Sequence, residues 1–267
     1  MENLTSFKKV CDTLTSIEDG YRAEISDNWK QGRTVYGGLT MGLALEAAYA
    51  AVPDLPPLRS VMMNFVGPVT ADPTFTVTVL RRGRNVTSVQ VMATAEDKVV
   101  AASNFIFGTS RESILSVSVD APNAPNPEDC KPVIPPKALA FLPKFAQQFE
   151  MNLIEGSRPI SGAKEGYIRA WARHKDPASR EGLSSFLAVS DILPPGAMPM
   201  LTKPGPTSSI NFQLNLTTDN PVTADGWWHV ETRMSTAGNG YSSQIMRFYN
   251  TSGEMVAEGI QAVATFV

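Results

Sequence analysis

The chain has few of the residues that would tie it to an oxidising compartment, a metal or a polyanion. It contains 2 cysteines, 2 histidines and 18% charged residues among 267, with a formal net charge of −3. Two cysteines are too few for a disulfide framework. His174 and His229 lack metal-ligand spacing, and the charge gives no footprint for nucleic acid. No phosphate-binding loop, dinucleotide fingerprint or G-x-S-x-G elbow is present. The sequence predicts no metal, no cofactor and no nucleic-acid partner.

Long apolar runs are also missing. The longest weakly polar run, Leu39–Val52, is shorter than the roughly 20 residues of a membrane span, and it contains Glu46. The first residues, Met1–Ile17, carry Lys8 and Lys9 without the continuous apolar stretch that a signal peptide needs. We therefore expect no membrane span and a cytoplasmic location.

Two patterned regions flank a proline-rich middle. Prolines remove backbone donors and fix φ, so a run such as Ala121–Pro127 prevents regular structure. We predict a first domain over 1–108, a crossover linker over 109–155 and a second domain over 156–267. Within the linker, a short helix is predicted over Lys137–Phe149.

The first region begins with a helix-like piece, Asn3–Ile17. The stretch Leu39–Ala51 is rich in alanine and leucine and ends before Pro53, which is typical of a buried helix. Apolar residues at alternate positions then predict strands. These strands are Leu58–Val66, Thr74–Val79, Asn85–Thr94 and Val99–Phe107.

The second region repeats this order. Gly182–Leu193 is helix-like and is stopped by Pro194. The predicted strands are Tyr167–Arg173, Ser209–Leu216, Trp227–Met234, Ser243–Tyr249 and Met255–Phe266.

The two regions match each other in order. The matching pairs are Gly38–Ala48 with Gly182–Ile192, Met63–Phe65 with Ile210–Phe212, and Gln90 with Gln244. This order suggests an internal duplication, with two unrelated α+β domains as the alternative. A helix that is apolar on nearly all sides needs a sheet curled around it. The predicted fold is therefore an α+β double hotdog, with two central helices each wrapped by an antiparallel sheet.

Short motifs in both regions resemble those of type II acyl-CoA thioesterases. They are Gly32–Gly38, Leu58–Pro68, Leu187–Asp191, Ser208–Phe212 and Ala257–Gln261. The resemblance implies an enzyme of fatty acid metabolism that hydrolyses acyl-CoA thioesters to a free acid and CoA. In that family an aspartate, a hydroxyl residue and a glutamine hold the water, which implies Asp191, Ser209 and Gln261 here. Where the family has a Thr-Ile-Asp-His run, this chain has Ser209–Phe212 without the carboxylate or the imidazole.

The residues themselves are consistent with this chemistry. A carboxylate against an apolar wall is a good general base, so Asp191 could accept a proton from water, or it could simply end its helix. Ser209 could orient that water or be an ordinary strand hydroxyl. A buried amide such as Gln261 must find partners. Gly37 and Gly38 could bring backbone N–H groups close to a substrate oxygen or form only a turn.

Candidate substrate contacts lie in both regions. Phe65 and Phe212 are expected to line an acyl pocket. Arg81 and Arg82 could meet the phosphates of coenzyme A, or form only a solvated hairpin end. Hotdog sheets expose edges that invite pairing, so we expect a homodimer.

Two other functions stay open at this point. A hotdog hydratase or dehydratase would need a histidine base, and His174 lacks the partner spacing. A non-catalytic acyl-CoA-binding protein would fit the altered run Ser209–Phe212. Glu46 lies near the place of Asp191 in the first copy and is a second catalytic carboxylate, a relic or a core glutamate with a partner.

Overall fold

The computed structural model describes residues 4–267, apart from the side chains of residues 139–141, and contains three α-helices and fifteen β-strands there. The helices are α1 (Phe7–Cys11), α2 (Gly37–Ala51) and α3 (Leu183–Ser190). The first eight strands are β1 (Thr15–Ile17), β2 (Gly20–Arg22), β3 (Lys30–Gln31), β4 (Thr34–Val35), β5 (Leu58–Phe65), β6 (Thr74–Arg82), β7 (Val86–Ala95) and β8 (Lys98–Gly108). The others are β9 (Lys131–Pro132), β10 (Phe149–Gly156), β11 (Tyr167–His174), β12 (Thr207–Leu216), β13 (Trp228–Gly238), β14 (Tyr241–Tyr249) and β15 (Met255–Thr265).

One antiparallel sheet of 13 strands runs through both halves of the molecule. Its order is β1-β2-β6-β7-β8-β5-β12-β15-β14-β13-β11-β10-β9. The halves join where β5 pairs with β12, with Asn64 opposite Asn211. The remaining strands, β3 and β4, pair with each other just before α2. Strands β7 and β8 are joined by a tight turn at Glu96 and Asp97, where both residues have positive φ.

Each half of the sheet curls around its own central helix. Ten of the 15 residues of α2 are buried, because its alanine-rich and leucine-rich surface is apolar on nearly all sides. In the second half, the Phe186 ring of α3 packs 4.6 Å from Trp228 and 5.6 Å from Phe248, centroid to centroid. This is the predicted α+β arrangement. Within residues 4–267, every helix is too short or too polar to cross a membrane.

The two central helices pack against each other through glycines. A Cβ atom on Gly38 would lie 2.6 Å from the carbonyl oxygen of Ala188, and one on Gly42 would lie 2.9 Å from that of Ser184. The residue numbers rise on one helix as they fall on the other, so α2 and α3 run antiparallel. Glycine is required at these positions because the backbones approach too closely for a side chain.

The proline-rich segment crosses the outer face of the second half. The indole N–H of Trp171 donates to the carbonyl of Pro125 at 2.9 Å, and Arg169 donates to that of Asn123 at 3.1 Å. Strands β9 and most of β10 also lie between residues 109 and 155. The domain boundaries stay a prediction.

Two predicted helices are wrong. Over Lys137–Phe149 the chain forms two short 3-10 helices, Pro136–Phe141 and Lys144–Gln148, because Pro143 interrupts the hydrogen bonding. Asn3 lies outside the described residues, and the rest of the N-terminal helix shrinks to α1.

The N-terminal helix ends early because of a threonine. The Thr13 hydroxyl donates to the Val10 carbonyl at 2.7 Å and accepts the Glu24 N–H at 2.9 Å. A side chain that satisfies backbone groups in this way competes with helix formation. The following residues instead form the hairpin of β1 and β2.

Candidate active site

Three side chains meet at the inner surface of the second half. The Gln261 Nε2 atom lies 2.9 Å from Asp191 Oδ1 and 2.9 Å from Ser209 Oγ. Asp191 directly follows α3, Ser209 lies on β12, and Gln261 is on the neighbouring strand β15. An amide nitrogen has two hydrogens, so Gln261 donates one to each partner. The structure thus brings together the three residues that the sequence analysis selected.

A β-bulge turns Ser209 towards this cluster. In the pairing of β12 with β15, Phe212 lies opposite Gln261 and Ser209 lies opposite Val263, with one extra residue at Ile210. Because side chains alternate between faces, a regular strand would place Ser209 and Phe212 on opposite faces. The extra residue brings them to the same face, which Gln261 and Val263 share.

Burial makes Asp191 a weak acid. Loss of solvent around its carboxyl raises the pKa from 3.8 to about 7, although the Gln261 amide and the Gly38 N–H donate to the carboxylate and lower it in part. The facing Tyr36 phenol has a pKa raised well above 10 by burial, so it stays neutral. Near pH 7 both forms of Asp191 are populated, which suits a general base.

The first half contributes the opposite wall of the site. A Cβ on Gly37 would lie 2.8 Å from Asp191 Oδ2 and 2.9 Å from the Phe65 ring. The N-terminus of α2 therefore touches the carboxylate directly, and no side chain fits between them. The structure places Gly37, Gly38 and Phe65 beside Asp191, so the site is shared by both halves.

Asn211 and Phe212, which stand where the family's Thr-Ile-Asp-His run has aspartate and histidine, lie in different environments. Asn211 is exposed, and its side-chain oxygen accepts the Ala262 N–H at 3.0 Å across the bulge. Phe212 is fully buried, opposite Gln261 in the β-ladder. The missing carboxylate thus belongs to an exposed position of the strand, whereas the missing imidazole is replaced by a core ring.

The two candidate arginines lie elsewhere. Arg81 and Arg82 are at the end of β6, and an Arg82 Nη2 donates to the carbonyl of Pro53, just beyond the C-terminus of α2. A helix of 15 residues is about 21 Å long, so this end is far from Asp191 at the N-terminus of α2. A contact with the phosphates of coenzyme A stays a prediction.

Neither histidine reaches the three clustered side chains. His174 is 1% exposed, and its Nε2 lies 3.2 Å from the carbonyl oxygen of Ser185, at the end of α3 away from Asp191. His229 is equally buried between Trp171 and Tyr249. Burial lowers both pKa values to about 4, so both rings are neutral.

Sequence reasoning missed two residues beside the site. Gln244 on β14 donates to Gln261 Oε1 at 2.6 Å, and the Tyr36 hydroxyl donates to the Ala188 carbonyl at 2.8 Å. Gln244 carried a signal, since it is an amide two and four residues before the apolar Met246 and Phe248 on the same face of strand β14. Tyr36 lies within the motif Gly32–Gly38, but the sequence did not predict its hydrogen-bond partner, which is 152 residues away.

Two family models match the chain. The acyl-CoA thioesterase N-terminal domain matches residues 25–108, and the acyl-CoA thioesterase C-terminal domain matches residues 127–265, more than half of the chain by itself. The chain belongs to the acyl-CoA thioesterase family. The resemblance found in the sequence is therefore confirmed. No curated protein matches the chain significantly.

Solved structures show that this thioesterase-family chain has the hotdog fold. A conserved protein of unknown function with a hot dog fold from Alicyclobacillus acidocaldarius is 21% identical, with a TM-score of 0.85 and 98% of each chain covered. The acyl-CoA thioesterase II TesB2 of Mycobacterium marinum is 19% identical, with a TM-score of 0.75 and 98% of each chain covered. The TesB protein of Mycobacterium avium subspecies paratuberculosis is 18% identical, with a TM-score of 0.77, over 98% of this chain and 100% of that one. The predicted fold class is confirmed.

Proposed function

We propose that the protein hydrolyses acyl-CoA thioesters to a free acid and CoA, with a water activated by Asp191, Ser209 and Gln261. The observation that carries the proposal is the Gln261 amide, which joins the carboxylate and the hydroxyl at 2.9 Å each. Membership of the thioesterase family supports the reaction class.

The proposed reaction begins with a water at the carboxylate. The ionised Asp191 accepts a proton from the water while the water oxygen attacks the thioester carbon. Gln261 uses both N–H groups on Asp191 and Ser209, which leaves the Ser209 hydroxyl hydrogen free to donate to the water oxygen and fix the line of attack. The tetrahedral intermediate then releases the CoA thiolate as the carbon–sulfur bond breaks. Asp191 returns its proton to that sulfur.

The thioester oxygen needs hydrogen-bond donors as it gains charge. The Gly38 N–H is already directed at Asp191, so we assign this role to the N-terminal end of α2 around Gly37. There the positive end of the helix dipole favours negative charge. Phe65, which lies against the same glycine, is proposed as an acyl contact.

The histidine positions argue against a hydratase. Such an enzyme needs an imidazole base at the substrate, and both histidines are buried outside the cluster. A non-catalytic acyl-CoA-binding protein would not need a carboxylate held near its titration midpoint by burial.

The test is release of thiol from acyl-CoAs of short, medium and long chain, with hydration of crotonyl-CoA followed in parallel. We expect thiol release, and we expect Asp191→Asn to lower kcat by about 10²-fold to 10⁴-fold, the usual contribution of a general base. The matched control is Glu46→Gln, which removes the acid near the end of α2 and should leave kcat within a factor of about two. Hydration without thiol release, binding without turnover, or full activity of Asp191→Asn would overturn the proposal.

A further inference from the structure

Gln244 is a fully buried amide whose hydrogen-bonding groups are all accounted for. Its Oε1 accepts the backbone N–H of Gly196 at 2.7 Å, and its Nε2 donates to Gln261 Oε1 at 2.6 Å. The second hydrogen of Nε2 points at the Met246 sulfur, 3.6 Å away. A buried amide with every group satisfied is held in one orientation.

The hydrogen bonds from Gly196 through Gln244 to Gln261 have a fixed donor-to-acceptor direction, because the first donor is a backbone N–H group. The Gly196 N–H can only donate, so it requires the oxygen of Gln244 to face it. The Gln244 NH₂ group therefore faces the side-chain oxygen of Gln261. With its oxygen on that side, Gln261 has its NH₂ group directed at Asp191 and Ser209. Each amide has two orientations related by a half-turn, and only the hydrogen-bond network distinguishes between them.

The other orientation of Gln261 would disable the site. A half-turn would direct its oxygen at the Asp191 carboxylate, where two acceptors repel each other, and would leave the Ser209 oxygen without its donor. Within residues 4–267, the hydrogen bonds of the Gln261 side chain are those to Gln244, Asp191 and Ser209. Gln244 is therefore the partner from outside the cluster that favours the active orientation, in the same sense as the Asp191 carboxylate.

We propose that Gln244 is a positioning residue for thioester hydrolysis, which keeps both N–H groups of Gln261 directed at Asp191 and Ser209. The inference rests on the function proposed above. It also links the site to the loop after α3, because the direction of the whole network is set by Gly196. Gln244 itself touches neither Asp191 nor Ser209.

The first test is Gln244→Met, which keeps the length and burial of the side chain but removes its amide. We expect kcat to fall by at least about tenfold and KM to stay within about twofold, because orientation within the site is lost while substrate contacts remain. The control is Gln90→Met on β7, the glutamine that sequence matching pairs with Gln244, with no expected change in kcat. An unchanged kcat in Gln244→Met, or an equal fall in Gln90→Met, would overturn the proposal.

The second test is Gln244→Glu, which separates positioning from packing. A protonated carboxyl accepts from Gly196 and donates to Gln261, so it preserves the direction of the network. An ionised carboxylate only accepts, which would turn Gln261 away from Asp191. Burial raises the pKa of an introduced glutamic acid towards about 8.

The expected pH profiles of kcat differ for this reason. Wild type should reach a plateau above the ionisation of Asp191, whereas Gln244→Glu should be bell-shaped, with activity near that of wild type at the acidic side. Tyr36 is the titratable group that faces Asp191, and it stays neutral in this range. The neighbours of Gln244, namely Gly196, Met234, Met246 and Gln261, are uncharged. A Gln244→Glu profile with the plateau of wild type contradicts the proposal.

The Asp191 carboxyl gives a readout that does not depend on turnover. In protein carrying ¹³C-labelled aspartate, Gln244→Met should raise the pKa of Asp191, because the Gln261 amide that stabilises its charge is released. An unchanged Asp191 titration counts against positioning. If wild type fails to release thiol while this shift is present, the proposed function fails and the positioning role stands.

Discussion

Each half of the molecule has a row of three neighbouring residues across three strands. Two of the three are polar in the second half, and all three are apolar in the first. In the second half, β12, β15 and β14 place Phe212, Gln261 and Gln244 side by side. In the first half, β5, β8 and β7 place Phe65, Ala101 and Ala93 in the corresponding order. The phenylalanine is common to both rows, and the two glutamines are replaced by alanines.

This difference separates what a hotdog half needs for folding from what it needs for the proposed chemistry. Every member of the two rows is buried except Phe65, which is half-buried against the N-terminus of α2. Alanine needs no partner there, whereas a glutamine requires a complete hydrogen-bond network. The first half instead contributes a helix N-terminus, Gly37 and Gly38, to the single cluster of the second half.

Among the changes that test this comparison, we expect the largest effect when a glutamine of the second row is replaced by the alanine of the first. Gln261→Ala removes the amide that joins Asp191 and Ser209, and we expect kcat to fall by about 10²-fold, the typical cost of misplacing a reacting group. Thiol release from acyl-CoA measures it. The control, Ser208→Ala, changes the exposed neighbour of Ser209; an equal loss there would mean that the strand, not the amide, is responsible.

The next prediction concerns the free energy of unfolding, which burial of the Asp191 carboxylate lowers. Asp191 has a folded-state pKa of about 7, raised from 3.8, so the folded protein binds more protons than the unfolded chain between these values. Stability therefore falls as the pH rises through this window, and the cost is complete above about pH 7. Asp191→Asn removes this cost, so it should raise the free energy of unfolding by up to about 4 kcal/mol at pH 8 and by little at pH 4.

Urea unfolding of wild type and Asp191→Asn at both pH values measures this difference. The same comparison for Glu46→Gln in the first half is expected to show no pH-dependent gain. A gain for Asp191→Asn at pH 4 as large as at pH 8 would show that the effect is not one of ionisation.

A smaller effect is expected at the contact between the halves. Gly42→Ala forces a methyl group to within 2.9 Å of the Ser184 carbonyl oxygen, and we expect a loss of about 1–2 kcal/mol from overpacking. Thermal or urea unfolding measures it. Gly238→Ala is the matched control, because a Cβ there meets nothing within 4 Å; equal destabilisation by both would contradict the role of the helix contact.

The smallest effect is expected at the two arginines of the first half. Removing Arg81 and Arg82 together should raise KM for acyl-CoA by about two- to fivefold with kcat unchanged, since exposed charge pairs contribute at most about 1 kcal/mol. The rise should vanish at high salt. The control is Arg111→Ala, which changes another exposed arginine. An unchanged KM in the double variant would show that Arg81 and Arg82 do not bind the substrate.

Much of the fold could be read from local patterns. The period-two alternation of Thr74–Val79 and the apolar stretch Leu39–Ala51 predicted β6 and α2 correctly, because burial on one face or on all sides leaves a direct trace in the sequence. The helix over Asn3–Ile17 failed because one threonine side chain ends it after Cys11. Such side-chain bonds depend on partners that local pattern does not reveal.

The site depends on contacts that are distant in sequence. Resemblance supplied Asp191, Ser209 and Gln261, but the bulge at Ile210 that aims Ser209 is a matter of register between two strands. Register also corrects the match of Gln90 with Gln244. Gln90 is on the half-buried side of β7, whereas Ala93 lies in the row that corresponds to Gln244.

The glycine contact between α2 and α3 affects which substitutions the core can tolerate during evolution. Gly38 is in α2 and Asp191 directly follows α3, and the separation of these helices is set by glycine Cα atoms and carbonyl oxygens rather than by the side chains of the surrounding core. Substitutions elsewhere in the core can therefore accumulate without changing the distance between the Gly38 N–H and the Asp191 carboxylate. The same property makes the surrounding core a suitable target for redesign, provided that the two glycines are kept.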